Sequence, residues 1–153
     1  MDGEVITLFR ERIRRVQQRL GWSQRNDIQC CGVTMAQCHA LMAMGGRKEI
    51  SIVELAGILD VDTSNLSRTV DSMVKAGLLN RNHNPQDRRY VSLSLTDEGK
   101  KAFDTIERLF NAYLTKVFEC IPEDKHGQIM ESLELVAGAL DQCGKEYQCC
   151  PSE

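Results

Sequence analysis

The residues with the most latent chemistry in this sequence are its seven cysteines, spread over 153 residues. Cys30, Cys31 and Cys38 fall in the stretch QCCGVTMAQC, and a second adjacent pair, Cys149 and Cys150, stands in QCCPSE. Soft thiolates select thiophilic ions such as Cu(I) and Zn(II), and by the same softness arsenite or Cd(II). Three sulfurs suffice for arsenite, whereas a tetrahedral zinc site needs a fourth ligand. Cα atoms across a trans peptide lie about 3.8 Å apart, closer than the roughly 4.4–6.8 Å usual for a disulfide. Each vicinal pair is therefore better suited to reaching outward than to bonding within itself. The spacing is not that of a paired CxxC framework, so it does not by itself define a metal site. Packing is the competing role. It applies to Cys38 on the apolar side of a helix, to Cys143 in line with Val136 and Leu140, and to Cys120 beside Ile121 and Pro122. His39 adjoins Cys38, but an exposed or hydrogen-bonded histidine is the simpler reading, and His126 reads as a surface residue.

The compartment decides what such thiols do. The cysteine content is below the roughly 8–10% that marks a disulfide scaffold, and an odd number cannot all pair within one chain. Reduced thiols are the expectation. Met1-Asp2-Gly3-Glu4-Val5 has neither the basic residues nor the apolar run of a secretory signal, and no apolar stretch approaches a membrane span. The expected location is the cytoplasm, with no membrane partner. The length is that of one domain. A net charge of −3 and a pI near 5.7 give no overall sign of indiscriminate attraction to nucleic acid. The distribution differs from the sum: residues 68–101 hold seven Lys or Arg against four acids, a local +3 that leaves −6 for the remainder. A basic island on an acidic body is one form a nucleic-acid footprint takes.

The elements that would carry these residues can be read from periodicity. Val5, Phe9, Ile13, Val16 and Leu20 recur at helical spacing, which predicts a first helix ending near Gly21, followed by a polar connection over 22–33. Thr34 can cap a second helix that includes Cys38, Leu41 and Met42 or Met44 and stops at Gly45-Gly46. Ser51 and Glu54 have capping-box spacing and open a short helix. Val61-Asp62 then leads to another, capped by Asp62 or Thr63, burying Leu66, Val70 and Met73 or Val74 and ending at Gly77. Two short helices joined by a few residues make a helix-turn-helix candidate. Next, YVSLSL from Tyr90 alternates as a strand does, and HNPQD has the composition of a hairpin tip, together a wing. Thr96 caps a long helix with the stripe Phe103, Ile106, Leu109, Phe110, Tyr113 and Val117, and Pro122 opens a last one with Ile129, Leu133, Val136 and Leu140. These terminal helices have more apolar surface than one small winged unit can cover, which predicts a homodimer.

The segments VTMAQCHAL, SIVELAGILDVDTSNLSRTVDSMVKAGLLNR and NPQDRRYVSLSLTDEGKK, in that order, resemble the MarR family of bacterial winged helix-turn-helix repressors. The fold the resemblance implies is mainly α with a small β-hairpin wing. A DNA-binding unit over about 34–95 is flanked by dimerisation helices at about 4–21 and 97–147 of a single domain, 1–153. It further implies a dimer on a palindromic double-stranded operator, a recognition helix in each major groove and a wing at each minor groove. Carried onto this sequence, the recognition helix is about 63–76, with Ser64, Asn65, Ser67, Arg68 and Thr69 as contact residues. Short hydroxyls and amides suit phosphate oxygens, and an arginine reads guanine or holds phosphate. In the wing, Asp87 would steady Arg88 or Arg89 for entry into a narrow minor groove.

The resulting expectation is a transcriptional regulator, not an enzyme, with no required cofactor. Its operator would be released when As(III) or another soft metal ion binds Cys30, Cys31, Cys38, Cys149 and Cys150 in some combination, within one chain or across the dimer. The alternatives are a repressor that senses thiol oxidation, one that answers to an aromatic inducer or to no effector, and a thiol metal carrier that does not bind DNA. The carrier lacks support from any CxxC, P-loop or dinucleotide glycine motif.

Overall fold

The computed structural model describes residues 3–29, 32–83 and 91–144, and the chain divides into two compact units, residues 1–111 and 112–153. The elements of the first unit are α1 (Gly3–Gln29), α2 (Met35–Met44), β1 (Ile50–Ser51), α3 (Ile52–Leu59), α4 (Thr63–Lys75), β2 (Leu79–His83), β3 (Val91–Leu95) and most of α5 (Asp97–Glu119). The end of α5, a 3-10 turn at Glu123–Lys125 and α6 (His126–Gly144) make up the second. Among the described residues no helix is long and apolar enough to cross a membrane.

Two helix starts follow directly from local hydrogen bonding. At α2 the Gln37 amide donates to Thr34 Oγ1 at 3.3 Å while Thr34 N–H donates to Gln37 Oε1 at 2.8 Å. At α3 Glu54 N–H donates to Ser51 Oγ at 3.1 Å and Ser51 N–H to Glu54 Oε2 at 2.9 Å. Each box satisfies two amides that a helix start otherwise leaves without a partner. Asp62 holds the corresponding place before α4 but makes no side-chain cap bond. The α4 end matches expectation: Gly77 adopts φ +73, and the Leu78 amide reaches back to the Met73 carbonyl at 2.9 Å.

Cys38, Leu41 and Met44 of α2, Leu55 of α3, Leu66, Val70 and Met73 of α4, Leu79, Leu93 and Ile106 form one buried cluster. Over it lies a three-stranded antiparallel sheet in the order β1-β3-β2, with Arg81 opposite Leu93 and Ile50 opposite Leu93 on the other side. The wing is thus more than a hairpin. Two residues before α3 pair with β3, a strand too short to carry a readable alternation.

Thr96 ties the sheet to α5. Its N–H donates to the Leu78 carbonyl at 3.1 Å, its hydroxyl donates to the Gly77 carbonyl at 2.6 Å, and the same oxygen accepts from Gly99 N–H at 2.9 Å. Gly99 packs so tightly that a Cβ there would collide with the Leu78 carbonyl.

The first helix departs from expectation. It continues through Gly21 to Gln29, so the expected helix end near Gly21 is corrected, and residues 22–29 of the expected polar connection are helical. A glycine inside a helix costs only about 1 kcal/mol, and it ends the helix where the backbone turns left-handed. Gly21 is not among the left-handed glycines, whereas Gly32, beyond the helix, adopts φ +68. Pro122 opens the short 3-10 turn before α6 instead of α6 itself. His126 is not a plain surface residue: it is half-buried, its Nε2 lies 3.1 Å from the Phe118 carbonyl and 3.0 Å from that of Ile121, and its ring stands edge-on to Phe118. Both neighbours only accept, so Nε2 carries the proton.

Gly99→Ala is expected to destabilise the chain by about 1–3 kcal/mol, the usual cost of forcing an atom into a packed site, read as a lowered denaturation midpoint. Hydrogen bonding holds the Glu54 carboxyl below its ordinary pKa, first through the Ser51 hydroxyl and then through its backbone N–H, with Arg47 adding a smaller attraction. A depressed folded pKa contributes stability that is present above the ordinary carboxylate range and lost as pH falls through the folded value. Glu54→Gln should therefore remove part of the stability difference between neutral and acid pH, measured by thermal melts at both; unchanged pH dependence would contradict the capping role.

Candidate nucleic-acid interface

The candidate interface is built on α4. Leu66, Val70 and Met73 bury one side of the helix, and this fixes which residues face outward. Ser64, Asn65 and Arg68 are exposed, while Ser67 and Thr69 are half-buried at the margins. The Ser67 hydroxyl donates to the Thr63 carbonyl at 2.9 Å, so toward a ligand it retains its accepting lone pairs. Arg68 forms no ion pair with any described residue, which leaves its five N–H donors for a phosphate or a guanine edge. Asp62 also makes no side-chain cap bond to the first turn of α4, whose amides, pointing along the helix axis at its N-terminus, suit a phosphate.

Two polar links hold α4 in place, and sequence reasoning found neither. On one flank Gln37 Nε2 of α2 donates to Ser72 Oγ at 3.1 Å, and Ser72 Oγ donates onward to the Thr69 carbonyl at 2.7 Å. On the other, Arg81 Nη2 of β2 meets Asp71 Oδ1 at 2.7 Å. A signal for the second was present: Arg81 has the same strand parity as the buried Leu79, where an apolar residue is the norm. Beside the strands, Asn82 Nδ2 approaches Ser94 Oγ at 3.4 Å and Glu49 Oε1 at 3.5 Å. The wing tip residues Asp87, Arg88 and Arg89 lie outside the described residues.

The thiols divide. Cys38 is 6% exposed, inside the core between α2 and its neighbours, whereas His39 beside it is exposed, so the two do not converge. Among the described residues no group of three His, Cys, Asp or Glu side chains is placed to hold a metal ion. Cys30, Cys31, Cys149 and Cys150 lie outside the described residues. Cys120 and Cys143 are exposed, which corrects the expectation that both are packed. Cys120 sits in the turn after α5, and Cys143 extends a stripe whose own Leu133 and Leu140 are uncovered in a single chain.

A helix with a polar outer face, packed across a tight turn on a shorter helix and followed by an antiparallel hairpin, defines a winged helix-turn-helix DNA-binding protein. Residues 33–91 match the model of the MarR family. The chain is 30% identical over 115 residues to the transcriptional repressor MdtR of Bacillus subtilis, covering 75% of this chain and 74% of that protein. It is 32% identical over 97 residues to the multiple antibiotic resistance protein MarR of Salmonella typhimurium, covering 63% and 67%. Among solved structures, a cysteine-to-serine mutant of MarR from E. coli complexed with operator DNA superposes with TM-score 0.73 at 27% identity, over 89% of this chain and 99% of that one. The chain belongs to the MarR family; it is a DNA-binding transcriptional regulator and not an enzyme.

Arg68→Ala is expected to weaken binding to a target duplex by about 1–3 kcal/mol. If Arg68 reads a base, preference at one position relaxes; if it holds phosphate, all sequences weaken alike and the salt slope falls by about 1. Titration of several duplex variants at a series of salt concentrations measures both, and unchanged affinity would remove Arg68 from the interface.

Proposed function

We propose that the protein is a homodimeric repressor of a palindromic operator that lets go of DNA when its cysteine thiolates bind a soft metal ion or metalloid, arsenite first among them. The observation that carries the DNA side is the outward face of α4, where Ser64, Asn65 and Arg68, which has no ion-pair partner among the described residues, stand on a helix anchored by Leu66, Val70 and Met73. The operator complex of the E. coli MarR mutant supports the same mode of binding. Ser67 and Thr69 flank the contact, and Arg88 or Arg89, steadied by Asp87, enters the minor groove. The dimer is supported by the apolar residues Val5, Phe9 and Val16 of α1 and Leu133 and Leu140 of α6, all exposed in one chain. In this reading DNA binding needs no cofactor, and thiols kept reduced accord with a cytoplasmic location.

Two or three sulfurs drawn from Cys30, Cys31, Cys149 and Cys150, within one chain or across the dimer, supply the ligands. Cys38 joins them only if α2 moves off the core, because its thiol is buried. Cys31 comes three residues before Thr34, the cap of α2. Gln37 uses both ends of its amide there, Oε1 on the Thr34 N–H and Nε2 on Ser72 of α4. A pull on the chain before Thr34 thus has a hydrogen-bonded route to the reading helix. Because two such helices must sit about one DNA turn apart, a modest change of orientation spoils both contacts together. Operator binding and effector binding then oppose each other by the same factor.

Fluorescence anisotropy with the protein's own upstream DNA, with and without arsenite, Cd(II), Cu(I), Zn(II) or peroxide, tests this reading. Arsenite or another soft ion is expected to weaken binding roughly 5–150-fold, the usual range of allosteric coupling. The double variant Cys30→Ser, Cys31→Ser should bind DNA normally and lose the response. A double variant that responds as wild type does would remove that pair from the sensor, and release by peroxide alone would assign it to thiol oxidation.

A further inference from the structure

Asp71 is the acid of α4, a helix whose outer face is otherwise hydroxyls, an amide and the cations Arg68 and Lys75. An uncompensated carboxylate on a helix that approaches phosphates repels them, so its presence there needs a physical reason. The reason is across the gap to β2. Arg81 stands on the face of β2 that also carries the buried Leu79, directly opposite the fully buried Leu93. Its guanidinium lies 2.7 Å from Asp71 Oδ1, with the side chains 33% and 51% exposed.

We propose that Asp71 and Arg81 are a positioning pair for DNA reading, a strut that fixes the angle between the recognition helix and the wing. Elsewhere the two elements are joined through the turn Ala76–Leu78 and through apolar contacts of Met73 and Leu79, which resist separation but oppose sliding only weakly. A short, directional charge-assisted bond supplies the missing restraint. It also neutralises the acid at the place where DNA would otherwise meet it. Neither residue needs to touch DNA. The pair makes the major-groove and minor-groove contacts one rigid unit, and this rests on the reading that α4 and the wing engage the same duplex.

The test compares wild type, Asp71→Asn and the exchanged pair Asp71→Arg with Arg81→Asp on the protein's own upstream DNA, by anisotropy at several salt concentrations and by hydroxyl-radical footprinting. If charge alone mattered, removing an acid from a DNA-facing helix would tighten binding. The strut predicts the opposite sign: Asp71→Asn binds roughly three- to tenfold more weakly, with protection lost at the flanking minor grooves and kept in the central major grooves. The exchanged pair should recover most of the affinity. Because the pair is exposed, all three proteins should melt at nearly the same temperature, which separates positioning from folding. Tighter or unchanged binding by Asp71→Asn, even weakening across the footprint, or no recovery by the exchange overturns the proposal. Failure of wild type to bind any fragment of that DNA sinks instead the DNA reading on which it rests.

Discussion

Three elements meet at the carbonyls of Gly77 and Leu78. The left-handed backbone at Gly77 stops α4 and sends the chain into β2, while Thr96, at the far end of β3, binds both carbonyls and at the same time caps α5. Gly99 completes the joint by allowing the first turn of α5 to lie against the Leu78 carbonyl, where any side chain would collide. The recognition helix, the base of the wing and the long fifth helix are therefore tied at one point by backbone groups, which are directional and cannot be left unmade cheaply. Everything the outer face of α4 presents depends on that joint, because it determines where the helix ends and how the hairpin leaves it.

Around the joint the molecule uses weak interactions in positions where their direction counts more than their energy. The ion pair of Asp71 with Arg81 and the bond of Gln37 to Ser72 are both exposed, and exposed pairs contribute little to stability. They hold α4 from its two flanks, toward β2 and toward α2. The buried cluster beneath supplies cohesion without choosing an angle, since apolar burial is non-directional. The two roles are thus divided: cohesion resides in the core, and the orientation of α4 resides in links that a small displacement can break.

The cysteines illustrate how far a residue type can be from a role. Cys38 shares a motif with Cys30 and Cys31, yet it is a core residue of α2, packed with Leu41 and Met44. Cys120 and Cys143 lie on stretches that look apolar, yet both reach solvent in the single chain. In each case burial is set by the element that faces the thiol and not by its immediate neighbours in the chain.

Much of the fold was legible in the sequence because its signals are local. The capping boxes at Thr34 and Ser51, the stop at Gly77 and the cap at Thr96 act over three or four residues, and the periodicity of Leu66, Val70 and Met73 already assigned Ser64, Asn65 and Arg68 to the outside. Where local rules compete, sequence reading failed: Gly21 looks like a helix end, but flanking turns carry the helix on to Gln29. The strand at Ile50–Ser51 owes its existence to pairing with β3, and the side-chain partners of Asp71, Ser72 and His126 come from other segments of the chain. Hydrogen bonds within a turn are set by covalent neighbours and can be read in order. Those across packed elements are set by the relative placement of the elements, which the linear sequence does not state and only the tertiary structure decides.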